Sequence, residues 1–462
     1  MKALILAGGL GTRFRSKKPK LLHRLLGRPV IVHVAETLRQ AGIRDIGVVI
    51  SGRTEEVKDI LGEDYAYFYQ ENPRGGTGDA VLSASEFWKG EEDYLLVVNG
   101  DSPLIMAETV RNIQRFIYMV EEYENVRISG VVLTAQLSDP TGYGRVIKEK
   151  GTDRILRIVE EKEATPEERA LSEVNAGLYV FFAPHLSEVA GELRPSEKTG
   201  EVYITDAVNL MASRGMEVRS FMATDPTEAL GVNTRWDLSL AENVLRIRLI
   251  RYWSERGVTF HIPETVWIEP GVTLGEEVEI EPDVTLKGRT RVERGALIGR
   301  GSYVEDSDIG EDVRILPYSV VIGAKVERGA VVGPFAHLRE GTTIGESSEI
   351  GAFVEVKRSS VGRRVKAKHL AYIGDAEVGD EANIGAGAVT ANYDGRKKHR
   401  TVIGKRAFIG SNSLLVAPVE VGEESYVAGG SVITRNVPEG ALAVERAEMK
   451  VFEGKGKKKL RG

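Results

Sequence analysis

The fold of the C-terminal part of this chain is decided by a repeat that begins WIEPGVTLGEEVEIEPDVTLKGRTRVERGALIGR, residues 267–300. An aliphatic residue returns at every sixth position of this stretch. The first of these residues are Ile268, Leu274, Ile280, Leu286, Val292, Ile298 and Val304. The same step runs on, with two five-residue intervals, to Val356, and it resumes from Ile403 to Ile433. A period of six fits neither the α-helix, which repeats every 3.6 residues, nor the alternation of an amphipathic strand.

Such a repeat predicts a parallel β-helix in which each hexad forms one short strand and one turn. The aliphatic side chain points inward, and glycines that follow it, such as Gly275, Gly299 and Gly333, take the tight corners. Three hexads close one coil, and coils stacked about 4.8 Å apart make a prism of roughly nine coils. An ordinary β-sandwich with accidental spacing is the alternative, which the unbroken runs disfavour. The period does not decide the handedness of the coil.

Length and composition set the frame for the rest of the chain. With 462 residues, two or three domains are expected. Hydrophobic residues make up 42% and charged residues 28%, no apolar run is long enough to span a membrane, and no signal sequence is evident. The absence of cysteine excludes disulfides, thiol nucleophiles and thiolate metal sites, and we expect a cytoplasmic protein. A net charge of -6 argues against a nucleic-acid partner, so anionic small substrates require local basic groups.

The N-terminal half opens with a glycine-rich loop. A short apolar strand at residues 2–6 leads into LAGGLGTR, residues 6–13. Glycines in such a loop let backbone N–H groups approach a phosphate chain closely, although neither the P-loop spacing nor the dinucleotide fingerprint is met. Arg13 and Lys20 add cations beside the loop and strengthen the prediction of phosphate binding. Lys17 and Lys18 are better explained as part of a solvated loop.

Further apolar strands are predicted at residues 46–50, 95–98 and 128–133, and they alternate with helices at residues 29–41 and 80–88. This alternation predicts a mostly parallel sheet with helices on both faces. Ligands of such sheets bind at the carboxyl ends of the strands. Asp101, shortly after the strand at residues 95–98, is equally well explained as a ligand of a divalent cation or as a turn cap.

The motifs of this half resemble those of the sugar-1-phosphate nucleotidylyltransferases. The loop at residues 6–13, Pro19–Lys20, residues 76–78 and 100–101, and the later segments 140–145, 158–162 and 174–177 occur in that family's order. The resemblance implies a doubly wound, Rossmann-like α/β domain in which Arg13 and Lys20 act in catalysis and Mg²⁺ binds Asp101 and Asn233. The implied nucleotide and sugar contacts are Leu6, Ala7, Gly8, Gly9, Lys20, Gln70, Gly76, Thr77, Asn99, Gly100, Asp101, Gly144, Glu160, Asn175 and Asn233.

Two places interrupt the hexads of the C-terminal half. Residues 391–400 form a polar, basic insertion, and inserted loops of a solenoid usually collect on its functional face. His369 lies two residues after Ala367, whose small side chain takes the inward position. A lone histidine is more often a surface residue than a catalytic group.

Residues 338–341, 355–357, 368–375, 383–387 and 392–395 resemble a family of bifunctional enzymes that couple glucosamine-1-phosphate N-acetylation to uridylyl transfer. This resemblance implies a left-handed β-helix, a homotrimer, and acetyl-CoA bound between subunits. It also implies that His369 is the general base, with Glu355 as a candidate orienting partner. The implied sugar-phosphate contacts are Arg339, Lys357, Tyr372, Asn383, Asn392 and Tyr393, and the implied acetyl-CoA contacts are Ala386, Asn392, Tyr393, Ser411, Gly429 and Arg446.

The predicted organisation is therefore a pyrophosphorylase domain at residues 1–230, a linker helix at 231–257, a left-handed β-helix at 258–445 and a basic C-terminal tail at 446–462, whose basic run at 454–462 is expected to be disordered. Helical spacing places Trp236, Leu240, Val244 and Ile247 on one face of the linker helix. The predicted function is the synthesis of UDP-N-acetylglucosamine from glucosamine-1-phosphate, acetyl-CoA and UTP. The alternative is a nucleotidylyltransferase whose β-helix is only structural or regulatory. Gly9 and residues 70–76 differ from the bifunctional family's usual pattern, which leaves base and sugar preference open.

Overall fold

The computed structural model of the protein describes residues 1–460, with side chains through Lys457. Two compact units divide the chain, Met1–Leu245 and Arg246–Gly462. The predicted domain boundaries at residues 230, 257 and 445 stay predictions. Within the described part of the chain, no helix is long and apolar enough to cross a membrane.

The first unit is built from short strands that alternate with helices. Its strands are β1 (Lys2–Leu6), β2 (Arg24–Leu25), β3 (Arg28–Pro29), β4 (Ile46–Ile50), β5 (Ala66–Tyr69), β6 (Tyr94–Asn99), β7 (Ile128–Gln136), β8 (Arg145–Lys148), β9 (Ile155–Val159), β10 (Glu173–Phe182) and β11 (Glu217–Met222). Its helices are α1 (Val30–Gln40), α2 (Val57–Leu61), α3 (Gly76–Ser83), α4 (Ser85–Trp88), α5 (Ala107–Glu124), α6 (Pro166–Arg169), α7 (Ala183–Ala190) and α8 (Thr205–Ser213). Short 3-10 helices lie at Thr12–Phe14, Lys20–Leu22 and Pro226–Ala229.

The main sheet of this unit has the strand order β11-β7-β10-β6-β1-β4-β5. Neighbouring strands are parallel except for β10, which is antiparallel to both β6 and β7. Alternate residues of β1 enter different cores, Ala3 and Ile5 on one face and Leu4 on the other, because side chains alternate along a strand. The predicted mostly parallel sheet with helices on both faces is confirmed.

The loops after β1 and β6 lie side by side at the carboxyl edge of this sheet. The two strands are parallel neighbours, and the Gly100 N–H donates to the Leu6 carbonyl at 2.9 Å. The helix predicted at residues 80–88 begins earlier, at Gly76, and is broken at Ala84 into α3 and α4. The glycine motif at residues 76–78 therefore forms the first turn of α3 instead of preceding it.

The second unit is a parallel β-helix whose short strands form three sheets in the described residues, called face 1, face 2 and face 3. Face 1 contains Thr259–Phe260, Glu279–Ile280, Leu297–Ile298, Arg314–Ile315, Val331–Val332, Glu349–Ala352, Lys366–His369, Asn383–Ile384, Phe408–Ile409, Tyr426–Val427 and Leu442–Ala443. Face 2 contains Trp267–Ile268, Thr285–Lys287, Tyr303–Glu305, Val320–Ile322, His337–Leu338, Glu355–Lys357, Tyr372–Gly374, Val389–Ala391, Leu414–Val416 and Val432–Ile433. Face 3 contains Thr273–Leu274, Arg291–Val292, Asp308–Ile309, Ala324–Val326, Thr342–Ile344, Ser360–Val361, Ala376–Val378, Thr401–Ile403 and Val419–Val421.

The hexad residues fill the interior of the β-helix as predicted. Each aliphatic residue of the three quoted runs is buried, the most exposed being Leu274 at 7%. Each strand pairs in parallel with the strand one coil further along, as Ile280 does with Ile298. The coil that contains residues 391–400 is longer, because the insertion leaves the wall before Thr401 returns to face 3.

Helix α9 (Arg235–Ser254) follows the first unit's last loop, close to the predicted bounds. Thr234 begins it with a reciprocal cap: its Oγ1 accepts from the Asp237 N–H at 3.1 Å, and its own N–H donates to Asp237 Oδ2 at 2.7 Å. The face that carries the predicted apolar residues is exposed at the start of this helix, where Trp236 is 70% exposed and Leu240 40%. Helical spacing indicates which residues share a face but not whether anything covers it.

The basic run at residues 454–462 of the C-terminal tail was expected to be a disordered, solvated end. The structure instead forms a short helix, α10 (Lys455–Leu460), after an exposed segment that includes Arg446. The last two residues of the predicted basic tail, Arg461 and Gly462, lie outside the described residues.

Candidate active sites

The glycine-rich loop after β1 forms the floor of a cavity of about 700 Å³ in the first unit. Gly11 has φ +59°, and a Cβ there would lie 3.1 Å from Lys20 Cγ, so the lysine stem packs directly on the loop. A Cβ on Gly8 would lie 2.5 Å from Gln70 Oε1, whereas one on Gly9 would meet no heavy atom within 4 Å. The loop is therefore closely packed at Gly8 and Gly11 and open at Gly9.

Most of the predicted nucleotide and sugar contacts line this cavity. They are Leu6, Ala7, Gly8, Gly9, Arg13, Lys20, Gln70, Gly76, Thr77, Asn99, Asp101, Glu160, Asn175 and Asn233. Gly144 lines a second cavity of about 470 Å³, which also contains Asp101 and Asn233. Gly100 lies beneath the loop, where a Cβ would be 3.0 Å from the Leu6 carbonyl oxygen.

Four of these residues form a charged cluster between the two cavities. The Lys20 ammonium contacts Asp101 Oδ2 and lies 3.1 Å from Asn233 Oδ1. Arg13 Nη2 donates to the same Asn233 oxygen at 3.0 Å. No cluster of three or more His, Cys, Asp or Glu side chains suited to a metal occurs in residues 1–460. Asp101 and Asn233 nevertheless supply a carboxylate and an amide oxygen that converge on one point, and these hard donors suit Mg²⁺.

The cavity wall next to Gly8 is formed by Gln70 and the first turn of α3. Gln70 is buried, and its Nε2 donates to the Gly76 carbonyl at 3.0 Å and to Asp79 Oδ2 at 2.8 Å. Gly76 has φ +91°, and a Cβ there would be 2.5 Å from the Val202 carbonyl oxygen. Only glycine fits this contact without displacing the backbone at residue 202.

A buried arginine anchors the far side of the second cavity. Arg145 is 1% exposed, donates to the carbonyls of Tyr143, Arg169 and Leu171, and pairs with Glu161 at 2.8 Å. These contacts fix the Tyr143–Gly144 segment against the sheet. Arg145 was not predicted as a site residue, and it orders the cavity wall without lining the cavity.

Glu160 lies between the two cavities' polar walls. Its Oε1 accepts from Thr205 Oγ1 at 2.8 Å, and burial raises the pKa of its carboxyl above the usual range. Burial also raises the pKa of Tyr179, which accepts a hydrogen bond from Asn175 Nδ2. An acceptor held in such a place suits the hydroxyl groups of a sugar.

Several cavity residues were not predicted from the sequence. Arg74, Tyr179, Glu201 and Tyr203 all line the larger cavity. Arg74 sits in the segment 70–76 that differs from the bifunctional family, and Glu201 and Tyr203 belong to a segment that precedes α8. Their position opposite the glycine loop depends on the backbone contact between Gly75 and Val202, which no local pattern indicates.

On the β-helix, a basic cluster forms on face 2. Arg339 and Lys357 follow the inward residues Leu338 and Val356, which are register partners in adjacent strands. The positive charges of Arg339 and of Lys398, from the 391–400 insertion, lower the pKa of Lys357. Lys398 was not among the predicted site residues. The cluster offers several cations to one anion.

His369 ends a strand of face 1 and is exposed. The predicted partner Glu355 accepts from Arg339 Nη1 at 3.0 Å, and no hydrogen bond between His369 and Glu355 is present among the described residues. In the structure the Glu355 carboxylate pairs with the basic cluster, and its orienting role toward His369 stays a prediction.

The predicted acetyl-CoA residues follow His369 along one corner of the β-helix, between face 1 and face 2. The register of face 1 pairs His369 with Ala352 on the preceding coil. The same 17-residue step places Ala386 at the corresponding position of the next coil. Further along, Asn412 N–H donates to the Ala386 carbonyl at 2.8 Å and Gly430 N–H to the Ser411 carbonyl at 2.8 Å. Ala386, Ser411 and Gly429 thus occupy successive coils at this corner, and all three are small residues.

The same corner carries an apolar ladder on the coils before His369. Tyr318, Phe335 and Phe353 stack with ring centroids 5.4 and 5.2 Å apart, and Leu370 continues the column. These four residues, called the corner ladder below, are 47–63% exposed. All four have positive φ, a conformation that L-residues adopt rarely.

The remaining predicted contacts surround this corner and the insertion. Tyr372 and Asn383 point outward on face 2 and face 1, and Arg446 is exposed in the tail. Asn392 is buried and donates to Asp375, while Tyr393 is exposed. The insertion is closed by Asp394, whose pKa is lowered to about 2 by the backbone N–H of Lys397, by His399 and by the backbone N–H of Arg396. A cavity of about 390 Å³ lies at the corner between face 2 and face 3, beside Arg358 and Lys398.

Family comparisons agree with both units. The nucleotidyl transferase model matches residues 2–259, the bacterial transferase hexapeptide model (six repeats) matches residues 323–358, and the succinyl-transferase hexapeptide repeat model matches residues 400–435. Fold and sites therefore define a nucleotidyltransferase joined to a hexapeptide-repeat transferase.

Curated relatives resemble the chain over its whole length. "Bifunctional protein GlmU" of Aquifex aeolicus (strain VF5) is 58% identical over 461 residues, covering 100% of this chain and 99% of the relative. The proteins of the same name from Hydrogenobaculum sp. (strain Y04AAS1) and Desulfitobacterium hafniense (strain DSM 10664 / DCB-2) are 48% and 40% identical, covering 99% and 98% of this chain and 100% and 97% of the relatives. The chain belongs to the bifunctional GlmU family. The predicted fold class, a doubly wound α/β domain followed by a left-handed parallel β-helix, is confirmed.

Proposed function

We propose that this enzyme makes UDP-N-acetylglucosamine in two reactions at two separate sites. Glucosamine-1-phosphate is first N-acetylated by acetyl-CoA on the β-helix, and N-acetylglucosamine-1-phosphate then reacts with UTP in the first unit. The observation that carries this proposal is the presence of two phosphate-type sites in one chain. One is the Lys20–Asp101–Asn233 cluster of the first unit, and the other is the Arg339–Lys357–Lys398 cluster of the β-helix.

For uridylyl transfer, a phosphate oxygen of the sugar phosphate attacks the α-phosphorus of UTP, and pyrophosphate leaves. The second pKa of a phosphate monoester is about 6, so the nucleophile is largely dianionic at neutral pH and needs no general base. Arg13 and Lys20 neutralise the phosphate chain, and the glycine loop binds it through backbone N–H groups. Asp101 and Asn233 would hold Mg²⁺, which supplies further charge neutralisation when bound.

The larger cavity provides a place for each part of these substrates. Gln70 offers its buried amide Oε1 beside Gly8, where it can accept from an imide N–H of the base. Glu160 and Asn175, on the other side, offer acceptors and a donor to sugar hydroxyls. Asp101 and Asn233 border both cavities, so the phosphates meet where the two cavities meet.

For acetyl transfer, the ammonium of glucosamine-1-phosphate must lose a proton before its nitrogen can attack a thioester. Histidine is the side-chain type whose charge changes near neutral pH, and we assign this proton transfer to His369. The free amine attacks the acetyl carbonyl, the tetrahedral intermediate collapses, and the thiolate of CoA leaves. Arg339, Lys357 and Lys398 hold the sugar phosphate, and the corner with the small residues Ala386, Ser411 and Gly429 receives acetyl-CoA.

We further propose that the β-helices assemble as a homotrimer and that the corner ladder lies in the contact between copies. Monomeric proteins rarely expose stacked aromatic residues in one continuous column. His369 lies on the same open corner, so a second copy packed there would supply the missing wall of the acetyl-transfer site. The domain boundaries at residues 230, 257 and 445, and the cytoplasmic location, are retained as parts of this proposal.

Substrate omission tests the proposal on the unmodified protein. One sample receives glucosamine-1-phosphate and acetyl-CoA, a second receives N-acetylglucosamine-1-phosphate and UTP with Mg²⁺, and a third receives all substrates. We expect thiol release in the first, pyrophosphate release in the second and UDP-N-acetylglucosamine from glucosamine-1-phosphate in the third. Pyrophosphate without thiol release would favour the alternative, a nucleotidylyltransferase with a structural or regulatory β-helix.

A further inference from the structure

The Lys20 ammonium already occupies the point where the two proposed Mg²⁺ ligands converge. It contacts Asp101 Oδ2 and lies 3.1 Å from Asn233 Oδ1. The Lys20 and Asp101 side chains are only 13% and 18% exposed. At this degree of burial, a pair of opposite charges is screened much less than a pair on the surface.

Arg13 fills the remaining acceptor position of Asn233. Its Nη2 donates to Asn233 Oδ1 at 3.0 Å, so this oxygen accepts from two cationic groups, as many as its lone pairs allow. The stem of Lys20 is held against Gly11, whose missing Cβ leaves 3.1 Å to Lys20 Cγ. The lysine is therefore placed on these oxygens by packing as well as by charge.

A divalent cation cannot share these oxygens with the ammonium. The two would stand within a few ångströms of each other, where like charges repel strongly, and both would need the same lone pairs. The ammonium must move away before the metal binds. If the Lys20 ammonium moved into the cavity without meeting a new partner, its charge would be left unpaired, which is costly. An anion near the glycine loop is therefore needed to receive it.

We propose that Lys20 is an exchangeable internal cation that makes metal binding at Asp101 and Asn233 depend on phosphate in the adjoining cavity. This inference rests on the proposed function for the location of the metal site. When phosphate arrives, Lys20 turns to it and releases Asp101 and Asn233 to the metal. Because coupling between two ligands is reciprocal, the metal in turn favours the phosphate-bound arrangement of Lys20.

Mn²⁺ binding to the full chain, followed by electron paramagnetic resonance of the free ion, tests this inference without substrate turnover. We expect weak binding to the unmodified enzyme and binding at least about tenfold tighter to Lys20→Met, a factor within the usual range of coupling between sites. Lys20→Gln, which keeps a donor but not the charge, should fall between them. Lys17→Met is the matched control, since Lys17 is an exposed lysine of the same loop, and it should bind like the unmodified enzyme.

Inorganic phosphate provides the second arm, at concentrations that leave most Mn²⁺ unchelated. It should tighten Mn²⁺ binding to the unmodified enzyme and change binding to Lys20→Met little. Equal Mn²⁺ affinity in the unmodified enzyme and both Lys20 variants, with the loss of binding in Asp101→Asn, would overturn the inference and leave the proposed metal site standing. If the double variant Lys20→Met/Asp101→Asn binds Mn²⁺ as tightly as the single variant Lys20→Met, the metal site is not at Asp101. Both this inference and the proposed metal site then fail.

Discussion

Replacing Arg145 by methionine should destabilise the first unit and weaken its hold on the sugar phosphate. Methionine keeps most of the aliphatic stem but removes the guanidinium. Three carbonyl groups, of Tyr143, Arg169 and Leu171, then lose their donor, and Glu161 loses its ion-pair partner. The guanidinium is almost fully buried, so water does not readily replace it.

The size of the effect follows from these contacts. Removing one partner of a buried ion pair costs about 3–5 kcal/mol, and each buried carbonyl left without a donor costs roughly 1 kcal/mol or more. Glu161 is partly exposed and is rehydrated in part, so we take about 3–5 kcal/mol for the whole change. For a unit of this size, that corresponds to a fall in melting temperature of roughly 6–20 °C.

Heat inactivation measured by the two activities separately gives the clearest assay. We expect the midpoint for pyrophosphate release to fall and the midpoint for acetyl transfer, which depends on the β-helix, to stay. The KM for N-acetylglucosamine-1-phosphate should rise, because Tyr143 and Gly144 line the second cavity. Arg157→Met is the matched control, since its ion pair with Glu168 is exposed and worth about 1 kcal/mol at most. If the heat-inactivation midpoint for pyrophosphate release is the same in Arg145→Met as in Arg157→Met, the reasoning is refuted.

Three further predictions concern other parts of the molecule. Gly8→Ala should lower kcat/KM for uridylyl transfer about 100-fold, because the added methyl group displaces Gln70. Gly9→Ala is the control and should keep the fold and most of the activity. Equal losses in the two variants would contradict the close packing at Gly8. Phe353→Ser should weaken self-association about tenfold in analytical ultracentrifugation. Tyr118→Ser, which changes an exposed aromatic residue of α5, should not weaken it. Unchanged self-association of Phe353→Ser would show that the corner ladder is not part of the contact between copies. Because burial raises the pKa of Glu160, the folded state favours its protonated form, and this contribution to stability is lost as pH rises through the raised pKa. Glu160→Gln should therefore melt above the unmodified enzyme at pH 8 in calorimetry, with the difference vanishing near pH 4, and a lower melting point at pH 8 would contradict the sign.

The hexad period predicted the β-helix because it depends on one local rule. An inward aliphatic side chain at each sixth position is enough to set strand, turn and face, and every quoted hexad residue is buried. The corner ladder could not be predicted in the same way. Tyr318, Phe335 and Phe353 stack only because successive coils place these corner residues in one column, and that depends on the length of each coil, not on the period within it.

For the candidate sites, the sequence predicted which loops meet but not which side chains touch. Asp101 and Asn233 were brought together by resemblance alone, and the structure adds that Lys20 bridges them. Lys398 was missed because its insertion has no repeat to fix its position relative to Lys357. The Arg339–Glu355 ion pair was also missed, since neighbouring coils bring together residues 16 positions apart that no local motif links.

The central claim is that one chain holds two independent transfer sites, and paired single substitutions measure this most directly. Asp101→Ala and His369→Ala are purified separately, and each is assayed for pyrophosphate release and for thiol release. We predict that Asp101→Ala loses only the first activity and His369→Ala only the second, and that mixing the two proteins restores the conversion of glucosamine-1-phosphate to UDP-N-acetylglucosamine. Loss of both activities in either protein, or unchanged thiol release in His369→Ala, would contradict the account.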